Sequence, residues 1–268
     1  MKFSLSPKIK KILKISYTVL IALTVIVFWS VAIFLMVDDE VQNNSDCNVA
    51  NIKLYGDIDT YGTCPECASS SDEIMNQIKD AEDNGDIKAI VLNIDSSGGG
   101  TVASQEIANA MKYAQKTTVA LIRSGGMSGG YFAATGADRI FASSMSNIGS
   151  IGITSSYLDN VEKNKKDGLT YNELSIGKFK DAGSPDRPLT AEERALWLAD
   201  LKIGYDIFVA SVAENRGLDL EKVKLLADGN TMKGQKALDN GLIDQLGDMF
   251  DVEKYLSDKL GEKAIVCR

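Results

Sequence analysis

At 268 residues, 44% of them apolar and 25% charged, the chain is long enough to bury a full core in one large domain. Its 29 Lys and Arg against 37 Asp and Glu give a net charge of −8, which argues against nucleic acid as a partner and against adhesion to anionic lipid heads. Histidine is absent, so imidazole is excluded both as a general base and as a metal ligand.

The first 37 residues differ in kind from the rest. Lys2, Lys8, Lys10, Lys11 and Lys14 make a basic tail over 1–14, and an uncharged, mainly apolar run follows over 15–37. As a helix that run measures roughly 35 Å, enough to cross a bilayer. It is long for the apolar part of a cleaved secretory signal, and no small-x-small site precedes Asp38-Asp39-Glu40. We therefore expect one uncleaved transmembrane anchor in the cytoplasmic membrane, its N-terminus inside and the remainder extracytoplasmic. With the five tail lysines set aside, 24 basic residues face 37 acidic ones, a net charge of −13. Residues 38–50, polar and turn-rich, read as a linker, and 51–268 as the extracytoplasmic domain.

Cys47, Cys64, Cys67 and Cys267 all lie beyond the anchor. Cys64-Pro65-Glu66-Cys67 has the CxxC spacing of a redox or zinc pair, but no βαβ pattern surrounds it and no histidine completes a metal site. We expect structural disulfide bonding in an oxidising compartment; the spacing does not fix the pairing.

Alternation of apolar runs with helical patterns predicts an α/β domain with a largely parallel sheet. A first strand fits 51–58, and Ser70 followed by Glu73 opens a helix over 71–84. The continuous apolar strand 88–94 ends in Ser96-Ser97-Gly98-Gly99-Gly100 and leads to a helix over 102–115. Strand 117–122 leads to a glycine-rich turn and a short helix over 128–136. Further strands fit 139–142, 151–154 and 171–176, with a helix over 157–167 between the last two. A long helix over 190–215 opens on the capping-box pair Thr190 and Glu193, and shorter helices fit 219–227, 233–240 and 249–260.

The turn Gly125-Gly126-Met127-Ser128-Gly129-Gly130-Tyr131 has the composition of a strand-to-helix turn that presents a nucleophile. Its glycines let the backbone turn sharply around one hydroxyl and approach a substrate closely. If Ser128 is catalytic, its base is a lysine, because no imidazole exists to serve. Acyl transfer also needs donors aimed at a developing oxyanion; the Gly129 N–H and one N–H from Gly98 or Gly99 have the right character. Gly98–Gly100 is not a phosphate loop, since no Gly-Lys-Ser/Thr follows it. Among the lysines, Lys178 and Lys180 stand out only because they enter another Gly/Pro turn. A solvated lysine, protonated up to a pKa of about 10.4, is no base at neutral pH, so the one used must be desolvated.

In combination and order these pieces resemble signal peptide peptidase A, a family of membrane-anchored Ser–Lys proteases, over about residues 50–256. The resemblance rests on Asn93-Ile94-Asp95-Ser96-Ser97-Gly98-Gly99-Gly100, the Ser128 turn, Ile148-Gly149-Ser150-Ile151-Gly152, Lys178-Phe179-Lys180-Asp181-Ala182-Gly183-Ser184-Pro185, and Gly234-Gln235-Lys236-Ala237 running on to Gly241-Leu242-Ile243-Asp244. It implies Ser128 as nucleophile, Lys180 as general base, Ser150 as the serine that orients that lysine, and an oxyanion hole at Gly98 or Gly99 and Gly129. The family usually carries Ser-Pro-Gly-Gly in its first glycine turn; here Ser97 replaces the proline, so the turn loses a φ restriction and gains an N–H.

The implied fold is the Clp-protease/crotonase type, a spiral of ββα units. The implied activity is serine endopeptidase action, with no cofactor and no metal, on apolar peptides, including remnant signal peptides, at the outer membrane face. A homo-oligomeric ring is implied too, with Lys180 acting within its own chain or across a subunit boundary. Two other readings stay open: a Clp-like membrane protease regulating one envelope protein, and a non-catalytic membrane scaffold. A crotonase-type acyl-CoA enzyme would share the fold, but an extracytoplasmic domain has no obvious CoA supply.

Overall fold

The computed structural model describes Lys8 and residues 23–29, 47–61 and 68–267. Residues 23–29 are helical, and among the described residues no helix is long and apolar enough to cross a membrane. The rest of the expected anchor, most of the linker, and Cys64 and Cys67 lie outside the described residues.

Residues 47–268 form one compact unit built on an eight-stranded sheet. The main path is β2(Ala68–Ser70), β1(Val49–Asp59), β3(Ala89–Gly99), β4(Thr117–Met127), β5(Arg139–Ala142), β8(Gln245–Leu246), every neighbouring pair parallel. Strand β6(Asn147–Gly149) branches off the far end of β4 in parallel, and β7(Thr231–Lys233) pairs antiparallel with β6. The sheet is buried on both faces, which is why β3 reads as an unbroken apolar run. Ile90, Leu92 and Ile94 point into the larger core, while Ala89 and Val91 point into the smaller one, as the two-residue period of a strand requires.

Helices α1(Ser71–Asp83), α2(Thr101–Tyr113) and α3(Gly129–Thr135) supply the larger core, and α8(Met249–Leu260) covers the smaller one through Val252 and Leu256. The Ser70 hydroxyl accepts Glu73 N–H at 3.4 Å, but the Glu73 carboxylate turns to Gln77 instead of completing a capping box. α4(Val161–Lys166) is shorter than the helix expected over 157–167. α5(Ala191–Arg216) does open on a complete Thr190–Glu193 capping box and closes on Gly217 in the left-handed region. α6(Leu220–Leu226) and α7(Gly234–Asn240) are the remaining helices among the described residues of this unit.

Two expected strands do not form at their expected positions. The strand predicted over 151–154 forms instead at 147–149, because Ser150 adopts φ +50° and turns the chain out of the ladder. Residues 171–176 join no strand ladder among the described residues, and Leu174 and Ile176 are fully exposed.

The two ends of the unit meet. A disulfide joins Cys47 to Cys267, and Val266 bridges Val49 in parallel. The Asn48 amide clasps the tail from both sides, donating to the Lys263 carbonyl at 3.0 Å and accepting Ile265 N–H at 2.8 Å. The segment after α8 is thus fastened to the start of β1. Because the bond spans 220 residues, the chain-entropy argument predicts that the double replacement Cys47→Ser and Cys267→Ser lowers unfolding free energy by up to about 5 kcal/mol. A urea midpoint unmoved by the replacement would show that the hydrogen bonds alone hold the tail.

Candidate active site

Strand β4 runs directly into Ser128, which caps α3, a helix whose seven residues are all buried. Burial of the helix fixes where its first turn lies, and the chain reaches it only by bending sharply at Ser128. That residue has φ +49° and ψ −122°; among the described residues only Ser128 and Ser150 have positive φ without being glycine. Such conformations cost on the order of 1–3 kcal/mol each and persist only where their surroundings over-determine them. Here Ser128 N–H donates to the Gly149 carbonyl at 2.8 Å, and the Ser128 carbonyl accepts Phe132 N–H at 2.9 Å. The side chain is left half-buried at the C-terminal edge of the sheet.

The glycine turn at the end of β3 lies against this bend. A Cβ on Gly98, itself at φ +114°, would stand 2.9 Å from both Gly129 N and Ser128 Cβ. A Cβ on Gly129 would stand 2.2 Å from the Ser104 hydroxyl and 3.2 Å from Gly99 N. Both positions therefore require glycine, and together they bring the backbone of Gly98 and Gly99 beside that of Ser128 and Gly129. Gly98 N–H donates to the Ser96 hydroxyl at 3.1 Å.

Ser150 follows Gly149, the residue whose carbonyl holds Ser128. Its N–H donates to the Asn230 carbonyl at 2.9 Å and its hydroxyl to the Gly229 carbonyl at 3.0 Å. With its hydrogen committed, the Ser150 oxygen keeps lone pairs for an incoming N–H donor.

Lys180 is exposed, in a turn where its N–H donates to the Gly177 carbonyl at 3.0 Å. Among the described residues its side chain makes no hydrogen bond or ion pair, and none joins it to Ser128 or Ser150. Lys178 is engaged: it pairs with Glu192 and lies 5.2 Å over the Phe179 ring.

The turn is held by an arginine that spacing alone gave no reason to single out. Arg187 Nε donates to Asp181 at 2.8 Å, and its two terminal nitrogens reach both oxygens of Glu193 at 3.0 and 2.6 Å. Tyr171 OH donates to the other Asp181 oxygen at 2.7 Å. Glu193 is the capping-box residue of α5, so one carboxylate both starts that helix and fastens the segment carrying Lys180. The fork of hydrogen bonds from Arg187, helped by Thr190 N–H, holds the Glu193 carboxyl down at about 2. The Tyr171 and Arg187 hydrogen bonds also hold Asp181 below its ordinary value.

Beside Ser128 and Gly129 opens an apolar groove of about 160 Å³. Val102, Phe132, Ile153, Gly204, Ile207 and Phe208 line it, and the rings of Phe132 and Phe208 stack at 4.7 Å. Gly204, Ile207 and Phe208 stand at i, i+3 and i+4 on α5, a helical spacing that places them on one face. No lysine is among the described residues lining it. A larger cleft of about 460 Å³, between Asp95, Arg123 and Asp248, contains no residue of the Ser128 turn. Among the described residues no group of three or more Cys, Asp or Glu side chains is placed to hold a metal ion.

The family model for peptidase family S49 matches residues 110–262, and that for Clp protease matches 57–148, from the end of β1 into β6. The fold is a Clp-protease-like α/β arrangement with a parallel sheet. The chain is 34% identical over 193 residues to a protein of Enterococcus faecium assigned as signal peptide peptidase SppA, covering 69% of this chain and 56% of that one. It is 32% identical over 197 residues to a Methanocaldococcus jannaschii protein assigned as a protease, covering 73% and 63%. To Protease 4 of Haemophilus influenzae it is 31% identical over 202 residues, covering 74% and 32%. The alignments thus span less than two thirds of each of these relatives.

The lowered Glu193 carboxyl carries a pH dependence. Its contribution to stability is fully present above pH about 4.5, the carboxyl's ordinary value, and is lost as pH falls toward about 2. Thermal unfolding of the wild type should therefore weaken across that window, and Glu193→Gln should flatten the decline. Parallel curves for the two proteins would count against the Arg187 junction as an acid-sensitive anchor.

Proposed function

The chain belongs to peptidase family S49, and on that premise we propose that it is a serine endopeptidase in which Ser128 is the nucleophile and Lys180 the general base. The observation that carries this reading is the strained Ser128 itself, held at positive φ between two glycine turns at the mouth of an apolar groove. Strain at one hydroxyl in such a setting is what a presented nucleophile requires.

In the proposed cycle, Lys180 Nζ takes the Ser128 proton as Oγ attacks the peptide carbonyl carbon. The oxyanion is received by Gly129 N–H and by Gly99 or Gly98 N–H, and the lysine then gives its proton to the leaving amine. Water, deprotonated by the same lysine, cleaves the acyl-enzyme and restores Ser128. Ser150 would accept a lysine N–H through its free lone pairs and so aim the amine. Since Lys180 meets neither serine within its own chain, a neighbouring subunit of a ring would bring its lysine to Ser128. The exposed Leu174 and Ile176, close to Lys180 in sequence, suit burial in such a contact and would strip water from the amine.

The groove favours apolar side chains, consistent with remnant signal peptides and other apolar peptides as substrates. A membrane anchor over 15–37 would hold the site at the outer face of the cytoplasmic membrane, where such peptides collect.

On a fluorogenic apolar peptide, Ser128→Ala and Lys180→Ala should each lower kcat by at least about 10³-fold. Lys178→Ala removes only an exposed ion pair and should leave kcat within about twofold. Equal losses from both lysine variants would reassign the base.

The groove yields a second prediction. A Cβ on Gly204 would meet only Ile153, at an ordinary 3.7 Å, so packing does not demand glycine in mid-helix. Gly204→Ala should stabilise α5 by about 0.5–1 kcal/mol. Gly204→Leu should fill the groove and cut kcat/KM for peptides with bulky apolar residues about tenfold or more, sparing those with alanine. Uniform loss across a peptide panel would remove the groove from substrate selection.

A further inference from the structure

The β3 ladder is irregular on both sides just before its glycine turn. Against β1 the register shifts between Tyr55 and Asp57, and against β4 between Ile94 and Ser96. Such bulges leave peptide groups without ladder partners, and buried peptide groups need them. One side chain answers for two. The Ser96 hydroxyl, on a residue only 3% exposed, donates to the Gly56 carbonyl at 2.6 Å and accepts Gly98 N–H at 3.1 Å. Gly130, in the first turn of α3, packs straight onto it: a Cβ there would stand 3.1 Å from Ser96 Cβ. The neighbouring Ser97 is exposed, and its hydroxyl lies 3.4 Å from an Asp57 oxygen. Unlike a proline at that position, it places no lock on φ.

We propose that Ser96 is a positioning residue of the oxyanion turn. By holding Gly98 N–H it sets the Gly98–Gly99 backbone against Ser128 and leaves the Gly99 N–H, with that of Gly129, to receive the oxyanion. The hydroxyl hydrogen is spent on Gly56 and a lone pair on Gly98, so the side chain has little freedom to turn. It supplies through two hydrogen bonds the rigidity that a proline at 97 would supply through its ring. The inference rests on the peptidase reading above. It matters to rate because an oxyanion donor displaced by a fraction of an ångström loses much of its effect.

The test compares the full chain in detergent with Ser128→Ala, Ser96→Ala, and Ser96→Ala combined with Ser97→Pro. With a fluorogenic apolar peptide, Ser96→Ala should lower kcat by about 10- to 100-fold with KM within about twofold, and weaken a peptide boronate, a tetrahedral mimic, in the same proportion. Adding Ser97→Pro should recover at least part of that loss. Amide exchange over residues 95–100, read by mass spectrometry, should quicken in Ser96→Ala whether or not the peptide is cleaved. Persistent hydrolysis by Ser128→Ala would sink the peptidase reading, while the exchange data still judge the clamp. Unchanged exchange, or a kcat loss that Ser97→Pro leaves untouched, would overturn the proposal. Should Ser96→Ala fail to fold, Ser96→Cys keeps the volume with a weaker donor and acceptor, and the same kcat loss and faster exchange are expected of it.

Discussion

The bend at Ser128 governs the rest of the site. Strand β4 belongs to a sheet buried on both faces, and α3 is buried along its whole length, so neither element can shift to relax the junction between them. The backbone must cross from one to the other at a single residue, and Ser128 takes up the turn at φ +49°. Serine at that position costs more than glycine would. The surroundings sustain it through the hydrogen bond to Gly149 and through glycines at 98 and 129 that let the flanking backbones close in. The same bond sets the place of Ser150, because the carbonyl that holds Ser128 belongs to the preceding residue.

The lysine segment is organised on different terms. It has no ladder to join and almost no core to enter, and it depends on polar fastening instead. Arg187 is the junction, with Asp181 and Glu193 on either side and Tyr171 closing the far oxygen of Asp181. Trp197 backs the turn closely enough that a Cβ on Gly183 would stand 2.4 Å from its ring. This fastening orders the main chain around Lys180 while leaving its side chain unengaged, and it occupies Lys178 with Glu192. On the proposed reading, an unpaired lysine side chain on an ordered turn would suit a base that meets Ser128 on assembly.

Much of this was legible in the sequence where one physical signal dominated. α5 and α8 lie within a residue of their expected bounds because each ends on a glycine in the left-handed region, with a capping residue at its start. β3 and β4 were legible as apolar runs, though both continue into their glycine turns, where the side-chain pattern stops but backbone pairing does not. Strands of two or three residues, such as β2, β6, β7 and β8, are too short to carry a period. The stretch over 171–176, where Tyr171, Leu174 and Ile176 mix with polar residues, misleads because among the described residues no strand edge accepts it. The sharp turn at Ser128 was legible from the glycines around it. Ser96 and Arg187 could not, since their importance lies in contacts 40 residues back and six residues to either side.

The unit also divides its stiffness along the strands. At the amino ends of β1, β3 and β4 the registers run without a break from Val49, Ala89 and Thr117, and the disulfide with the Asn48 clasp closes the outermost of them. At the carboxyl ends the ladders bulge, side chains such as Ser96 replace backbone partners, and the two positive-φ serines occur. Parallel α/β sheets place their ligand sites at that edge because the loops leaving it can be shaped without disturbing the layers below. A closed amino edge makes the irregular edge tolerable: strain on the order of a few kcal/mol at two serines is small beside the burial of a doubly covered sheet. The candidate site therefore lies where regular pairing ends, and the regular pairing is what holds it in place.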